Sequence, residues 1–302
     1  MSPNLFIEEA EYWFSPDWGK RAKIIINNLE NRNSLSDYPL LISVSRQNEM
    51  NSDFSDLRFT ANDGKTLLSY WFESYGPDKV NVWVKIPHIS SLGREVFYVY
   101  WGNSSATYRG NPKETFAFYD DFDDFTQNNY TIIGNIDALT WDTANSRLLL
   151  KRDDRQWFLW PKDLILTDFA IEIKGGFGET DGIKAVWRLQ DENNYYSFGG
   201  VGRNYSWSIY ENGKETSFWK GGSVNNITQI KVRGYQTKYL FDYLDGAGQT
   251  YHYEGNSNLL EKPGNIGFWA STAHEFPYVD SLLIRPFTQP QPTYQWGSDP
   301  QN

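Results

Sequence analysis

Flat aromatic rings and polar side chains alternate closely in the sequence between residues 187 and 219. A sugar is bound by an aromatic face that stacks on its C–H groups, together with polar groups that pair with its hydroxyls. This stretch supplies both kinds of group, so we expect a subset of it to contact a neutral oligosaccharide. The expected ligand-binding residues are Tyr195, Tyr205, Trp207, Trp219, Arg188, Asn193 and Arg203.

The alternative is that these rings pack inside a sandwich or against neighbouring strands. Residues two apart on a strand share a face, so Trp187 should face the same way as Leu189, and Tyr196 the same way as Phe198, all four inward. The ligand-binding interpretation therefore depends on one premise. The rings of Tyr205, Trp207 and Trp219 must face outward over a groove.

A second candidate site is a metal site. Calcium binds six to eight oxygens, mostly from carboxylates and carbonyls on loops. Asp121 belongs to an acidic cluster at residues 120–124, and Asp280 would lie on an adjacent strand near the end of the fold. We expect Asp121 and Asp280 to hold a structural calcium ion. The alternative is that these acidic residues only cap turns or solvate a sheet edge.

Catalytic patterns are weak by comparison. Hydrolysis of a glycosidic bond needs two carboxyl groups on either side of it, yet Glu172 and Asp242 each stand alone on their strands. The Gly-x-Ser-x-Gly elbow of serine hydrolases is absent from the sequence. The histidines are His88, His252 and His274. A lyase could pair His252 with Tyr251 or Tyr253, and this remains an alternative.

Composition favours an all-β protein. The 302 residues include 13 Trp, 20 Tyr and 19 Phe but 2 Met, and 24 Gly with 13 Pro favour tight turns. A formal net charge of −10 argues against nucleic acid and disfavours an anionic polysaccharide, unless a local Lys/Arg patch overrides the repulsion. The chain has no cysteine, and its apolar runs are too short to predict a membrane span.

Short alternating segments divide the chain into two β-domains. Residues 1–111 contain six predicted strands, with Val80, Val82, Val84 and Ile86 expected on one buried face. Residues 112–302 contain about eleven more by the same patterns. The polar stretch at 102–115 marks the boundary, and the tail from Thr288 predicts a linker or wrapping extension before further domains.

The first half resembles the DUF2341 family. The motifs that carry this resemblance are Trp18 with Arg21, and the runs 35–39, 50–59, 67–74, 82–87 and 97–103 (LSDYP, MNSDFSDLRF, LLSYWFES, VWVKIP and FYVYWGN). They extend over most of residues 13–110. The resemblance implies a β-domain of undefined activity from large secreted or surface proteins, often placed before a lectin-like domain.

The second half is similar to concanavalin A-like and laminin-G-like lectin domains. The similar segments are 118–122, 187–191, 193–198 and Asp280 with 282–285. The resemblance implies a jelly-roll-like sandwich that commonly binds glycans and often calcium, although sister families cleave polysaccharides. Fold alone does not decide between these functions.

Together these features predict two antiparallel β-sandwich (jelly-roll-like) domains, the second concanavalin A-like. The expected function is non-catalytic, lectin-like carbohydrate binding, with a neutral poly- or oligosaccharide as partner. The expected location is extracellular or at the cell surface, although the first residues lack the pattern of a signal peptide. Two alternatives stay open: a structural or adhesive component of a surface layer, filament or virion, and a polysaccharide hydrolase or lyase.

Overall fold

The computed structural model describes residues 12–135, 137, 139–151, 153–177, 182–201, 204–221, 227–260, 262–272 and 277–297. Nearly all regular structure in this part of the chain is antiparallel strand, which confirms the all-β class. The exceptions there are a one-turn helix, α1 (Pro112–Thr115), and a 3₁₀ turn at Gln127–Asn129. No described helix has the length and apolar character needed to span a bilayer.

The chain divides into two compact units. Of the described residues, the first unit contains 12–116 and 289–297, and the second contains 117–288. The division therefore falls after Phe116, whereas the sequence places it after residue 111.

The first unit is a sandwich of two antiparallel sheets, ordered β22-β1-β6-β3 and β2-β5-β4. Numbered along the chain, its strands are β1 (Lys20–Asn27), β2 (Leu35–Ser45), β3 (Arg58–Thr60), β4 (Tyr70–Tyr75), β5 (Lys79–Ile89), β6 (Arg94–Trp101) and β22 (Thr293–Trp296). On β5, Val80, Val82, Val84 and Ile86 are all buried in the core, as alternation predicts. Trp83, on the other face of β5, is also buried and packs against Phe116.

The C-terminal tail belongs to this first unit rather than to the second. Strand β22 pairs antiparallel with β1, with Ile24 opposite Trp296 and Asn27 opposite Thr293. The sequence groups the tail with the second domain because neighbours in sequence usually fold together. Backbone pairing to a strand formed early in the chain overrides that expectation.

The second unit is a larger sandwich of an eight-stranded and a seven-stranded sheet. Its strands are β7 (Phe118–Asp120), β8 (Tyr130–Ile133), β9 (Leu139–Asp142), β10 (Arg147–Leu150), β11 (Asp153–Pro161), β12 (Phe169–Gly176), β13 (Gly182–Asp191), β14 (Asn194–Val201), β15 (Asn204–Glu211), β16 (Lys214–Lys220), β17 (Ile227–Tyr235), β18 (Lys238–Asp245), β19 (Thr250–Asn256), β20 (Asn265–Thr272) and β21 (Tyr278–Pro286).

The eight-stranded sheet runs β19-β18-β17-β12-β21-β10-β9, and β7 also pairs with β21. The seven-stranded sheet runs β16-β15-β14-β13-β20-β11-β8. The core between them is rich in aromatic rings from both sheets. Trp187, Tyr196 and Phe198 all lie in it, as the sequence predicts, and the rings of Trp187 and Tyr196 stack with centroids 5.6 Å apart.

Candidate functional site

Two rings expected to contact a ligand, Tyr205 and Trp207, lie in the core between the two sheets of the second unit. Tyr205 is 3% exposed and Trp207 is 6% exposed. On β15 they share a face with Ile209, which is fully buried in the same core. The expectation that these two rings face outward over a groove is therefore wrong. Alternation places them on the side that Ile209 must bury.

Trp219 lies on β16, the edge strand of the seven-stranded sheet, and is partly buried. Its ring packs against Tyr253 of β19, the edge strand of the opposite sheet, with centroids 4.0 Å apart. It therefore closes one edge of the sandwich instead of lining a groove on a sheet face, and the expectation of an outward-facing ring is wrong here too.

The side chain of Arg188 is also used inside the protein rather than exposed for a ligand. It adopts a positive φ of 49° within a β-bulge of β13, which turns its side chain inward. The buried guanidinium donates to Tyr239 Oη and to the carbonyl of Gln236, each at 3.1 Å. The same bulge reverses the alternation, so Leu189 lies in a different cluster from Trp187. Sequence alternation cannot reveal such an irregularity.

Asn193 is exposed in the turn between β13 and β14. It borders an open cleft of about 430 Å³ that is also lined by Gln156, Phe158 and Glu192. Asn193 is therefore an expected ligand-binding residue whose side chain is accessible to solvent. Arg203 lies outside the described residues.

Tyr195 lies on the outer face of the seven-stranded sheet, in a cluster separate from the core. Its ring stacks on Tyr210 with centroids 4.5 Å apart, and Phe158 meets it edge-on at 5.1 Å. β11 and β14 are separated by two other strands, so a flat sheet would hold Phe158 and Tyr195 about 14 Å apart. The sheet must therefore curl toward this side, and its outer face is concave.

Strand register defines which residues share this surface, which we call the concave face. Adjacent strands place Lys184 opposite Trp269, Val186 opposite Ser197, and Ser197 opposite Ser208. The concave face consists of Phe158, Lys184, Val186, Tyr195, Ser197, Ser206, Ser208, Tyr210, Glu215, Ser217, Lys220 and Trp269. Its serines and valine are small, so its middle is lined by short side chains between aromatic rings.

Lys184 is the charged residue buried most deeply on the concave face, with 7% exposure. Its ammonium lies 5.2 Å from the ring centroid of Trp269, a cation–π contact. Among the described residues it makes no hydrogen bond or ion pair. Burial lowers the pKa of Lys184; Glu215 opposes this shift at longer range, and Lys220 adds to it.

Two buried polar groups near Lys184 have no hydrogen-bond partner within the described part of the chain. They are Ser197 Oγ and Trp269 Nε1. The neighbouring Ser208 does have partners, since its hydroxyl lies 3.1 Å from Ser217 Oγ and 3.4 Å from Ser206 Oγ. A buried polar atom without a partner costs about 1–3 kcal/mol. Lys184 lies on the strand between theirs, so these groups form a polar cluster on the outer face, although the core indoles of Trp157 and Trp207 also have no described partner.

Acidic residues gather where β7 ends. Ligand oxygens of Asp120, Asp121 and Asp124 all lie within 4.8 Å of one another. Asp120 is buried and already accepts hydrogen bonds from Tyr130 Oη at 2.6 Å and from the Phe122 N–H at 2.8 Å. Asp280, the partner that the sequence predicts for Asp121, is not a member of this cluster.

The outer face of the eight-stranded sheet carries ion pairs. Glu172 pairs with Lys174 at 3.1 Å and Lys231 at 2.9 Å, and Asp242 pairs with both Arg233 and His252. Of the two tyrosines suggested as partners for His252, Tyr251 has its pKa raised by burial and by Asp245, so its phenol stays protonated near neutral pH. This lowers its value as a catalytic base.

Sequence reasoning missed Lys184, Trp269, Phe158 and Tyr210 as site residues. Their signal is alternation, because Lys184 lies between the buried residues Ile183 and Ala185 and so must face outward. Its burial could not be predicted, since it depends on the curvature of the sheet.

Solved structures with a similar fold include proteins that act on or bind carbohydrates. The GH43 BlXynB protein from Bacillus licheniformis matches with 12% identity over 65% of this chain and 48% of its own, at a TM-score of 0.46. The chain therefore spans about half of that protein's length. Carbohydrate-binding module CBM66 from Bacillus subtilis matches with 13% identity over 53% of this chain and 94% of its own, at 0.39.

The exoplasmic/lumenal domain of VIP36, in a form bound to Ca²⁺ and Man3GlcNAc, matches with 10% identity over 56% of this chain and 94% of its own, at a TM-score of 0.42. Identities this low carry no information on ligand or activity. No curated protein sequence matches the chain. Residues 53–144 match the family model described as a domain of unknown function, DUF2341. This match begins later than the sequence resemblance and continues past Phe116 into the second unit.

Proposed function

We propose that the second unit binds a carbohydrate chain on the concave face, without cleaving it. The observation that carries this proposal is a cluster of polar groups on this face that have no hydrogen-bond partner among the described residues: Lys184, whose contact is the cation–π contact with Trp269, and the buried atoms Ser197 Oγ and Trp269 Nε1. A ligand rich in hydroxyls would satisfy these groups and recover the free energy that their burial costs.

The surroundings of these groups also suit a sugar. The rings of Trp269 and Phe158 lie in one cross-strand row, and Phe158 leads into the open cleft bordered by Asn193 and Gln156. Amide side chains beside an aromatic ring are the groups that pair with sugar hydroxyls while the ring contacts C–H groups. We propose that the chain runs from this cleft onto the concave face.

Binding without hydrolysis is favoured by the placement of carboxylates. A glycosidase holds two carboxyl groups about 5–10 Å apart on either side of the bond. Glu215, on the edge strand β16, belongs to the concave face, and Glu192, in the turn between β13 and β14, borders the cleft. Both are exposed, and they do not occupy neighbouring positions of one strand.

The proposal includes a structural calcium ion at Asp120, Asp121 and Asp124. Three carboxylates meet part of the requirement of six to eight oxygens, so backbone carbonyls and water would supply the rest. Asp120 has fewer lone pairs to offer because it already accepts from Tyr130 and Phe122. A site of this kind would fix the loop after β7.

We further propose that the protein works outside the cell or on its surface, where polysaccharides are met. The first unit would then present or position the sugar-binding unit. We also propose that the two units are separate domains whose boundary lies within residues 111–116.

Affinity electrophoresis of the full chain against neutral and acidic polysaccharides tests the proposed function. We expect retardation by at least one glycan, which Trp269→Ala abolishes and Trp269→Phe reduces less, because phenylalanine keeps a ring but lacks the N–H. Trp296→Ala is the matched control, since Trp296 is exposed and belongs to the first unit. Unchanged mobility of the wild-type chain in every gel would contradict the proposal, as would retardation of Trp269→Ala equal to that of the wild type.

A further inference from the structure

Four residues form a row across the concave face at its open edge. Lys184 on β13 lies opposite Gly199 on β14, Gly199 opposite Ser206 on β15, and Ser206 opposite Lys220 on β16. Lys220 is exposed, Ser206 is half-buried and Lys184 is buried. Gly199 has a φ of +146° that side-chain-bearing residues rarely adopt, so no side chain separates Ser206 from Lys184 in this row.

The row carries two ammonium groups that have no described carboxylate at ion-pair distance, although Glu215 on the same face attracts Lys184 at longer range. Neither Lys184 nor Lys220 forms an ion pair with a described residue. On the opposite sheet the arrangement is reversed, because the carboxylate of Glu172 has both Lys174 and Lys231 within 3.1 Å. A buried ammonium is expensive unless an anion or several acceptors compensate it. Lys184 is 7% exposed and has no described carboxylate at ion-pair distance, so an external anion can take that place.

We infer that the concave face recognises an acidic sugar unit, whose carboxylate lies between Lys184 and Lys220 with the hydroxyl of Ser206 beside it. This inference rests on the proposed function and names its ligand class. The carboxylate would accept charge-assisted hydrogen bonds from both ammoniums, and these are about twice as strong as neutral ones. Ser197 Oγ and Trp269 Nε1 would gain partners among the sugar hydroxyls.

An anion at Lys184 also removes an unfavourable interaction. Burial lowers the pKa of Lys184, Glu215 opposes this shift, and Lys220 adds to it. A carboxylate between the two lysines replaces repulsion by attraction. Ligand binding would then offset the stability that the free protein loses by retaining Lys184 in this environment.

The overall charge of −10 does not exclude this partner. At physiological salt the Debye length is about 8 Å, so distant acidic groups are largely screened. Contacts at hydrogen-bond distance inside a buried site are screened much less. The local pair of lysines therefore decides affinity, while the net charge acts on the approach of the ligand.

Calorimetric titration of the full chain with oligogalacturonate, and with its methyl ester as a matched neutral ligand, tests the inference. We expect the acid to bind at least about tenfold more tightly than the ester. Lys184→Met and Lys220→Met should each remove most of this preference, and Lys184→Arg should retain it. Lys238→Met makes the same charge change at an exposed site on the other sheet and should leave both affinities unchanged.

The melting temperature of Lys184→Met distinguishes a role of Lys184 in binding from a role in folding. Lys184→Met should melt at the same temperature as the wild type or higher, because it replaces a buried unpaired charge with an apolar chain. Equal affinity for acid and ester, with no effect of Lys184→Met, would overturn the inference and leave the proposed function standing. Sulfated dextran bound as tightly as oligogalacturonate would overturn the assignment to a carboxylate. Binding of no glycan at all would instead defeat the proposed function.

Discussion

Glu172 and Lys184 are both largely buried on strands of the second unit, but the protein treats their charges differently. Glu172 receives two lysines at ion-pair distance. Lys184 receives an aromatic ring, and Glu215 acts on it only at longer range. The environment of Glu172 is therefore that of a structural ion pair, whereas the environment of Lys184 is the one on which the proposed binding role rests.

Glu172 should make stability depend on acid pH. Burial alone would raise the pKa of Glu172, but Lys231 and Lys174 lower it by more, so the net pKa lies below the usual glutamate value of 4.5. A carboxyl whose folded-state pKa is depressed stabilises the fold above its unfolded pKa, and this stabilisation is lost as pH falls through the folded value. We expect Glu172→Gln to cost about 1–2 kcal/mol of unfolding free energy near neutral pH.

Urea denaturation measured across pH checks this expectation. The difference between wild type and Glu172→Gln should shrink below about pH 4.5 as the wild-type carboxyl becomes protonated. Glu254→Gln, an exposed change on the same sheet, should cost little at any pH. A gap between the two curves that stays constant down to pH 2 would contradict the ion-pair explanation.

Trp207 shows what residue types can and cannot predict. The sequence contains the information that it shares a face with Ile209, and period-2 alternation is enough to place it in the core. Residue types alone do not reveal this burial, because a tryptophan among polar side chains also fits a sugar-binding surface. The burial of Lys184, in contrast, follows from sheet curvature, which no local pattern in the sequence specifies.

At the level of elements, long alternating or apolar segments identified most strands of both units. A clear example is β14 (Asn194–Val201), on which Tyr196 and Phe198 both face the core, as alternation predicts. Strands β9, β16 and β22 have only weak sequence patterns, because β9 and β22 have four residues each and β16 is polar at a sheet edge. The pairing of β22 with β1 joins residues that are more than 250 positions apart, and local sequence carries no signal for it.

The tail is held by more than its strand pairing. Tyr294 of β22 accepts a hydrogen bond at its Oη from the N–H of Ser43, at 2.8 Å, and Ser43 lies on β2 in the opposite sheet. Tyr294→Phe leaves that N–H without this acceptor and should cost about 1 kcal/mol. Thermal unfolding measures the loss, with Tyr75→Phe as control because Tyr75 is highly exposed. Equal melting temperatures for both variants would show that the bond contributes nothing.

The effect of calcium on the melting temperature distinguishes two possible ligand sets. One is the cluster Asp120, Asp121 and Asp124 in the loop after β7, and the other is the sequence-based pair Asp121 and Asp280. Adding calcium at about 5 mM should raise the melting temperature, since extracellular sites bind at about 0.1–1 mM. Asp124→Asn should abolish the increase, whereas Asp280→Asn should retain it, because Asp280 lies outside the cluster. If Asp280→Asn abolished the increase and Asp124→Asn did not, the sequence-based ligand pair would be the correct one.

At the scale of the whole molecule, the charge of −10 and the lysine pair act on different steps of binding. The net charge creates a long-range field that repels an acidic glycan during approach, and salt weakens this field. The contacts of Lys184 and Lys220 form only after docking and determine how long the ligand stays. Affinity alone mixes the two effects, so the rates must be measured separately.

We therefore expect opposite salt dependences for the two rates. Raising salt from about 50 to 200 mM should increase the association rate of oligogalacturonate by about twofold, because repulsion is screened. The dissociation rate should rise more strongly, as the lysine contacts weaken, so that affinity falls. Stopped-flow fluorescence can follow both rates, since Trp269 lies beside Lys184. The methyl ester should show little change in either rate. An association rate for the acid that falls with salt would mean that an attractive basic surface, rather than two local lysines, captures the ligand.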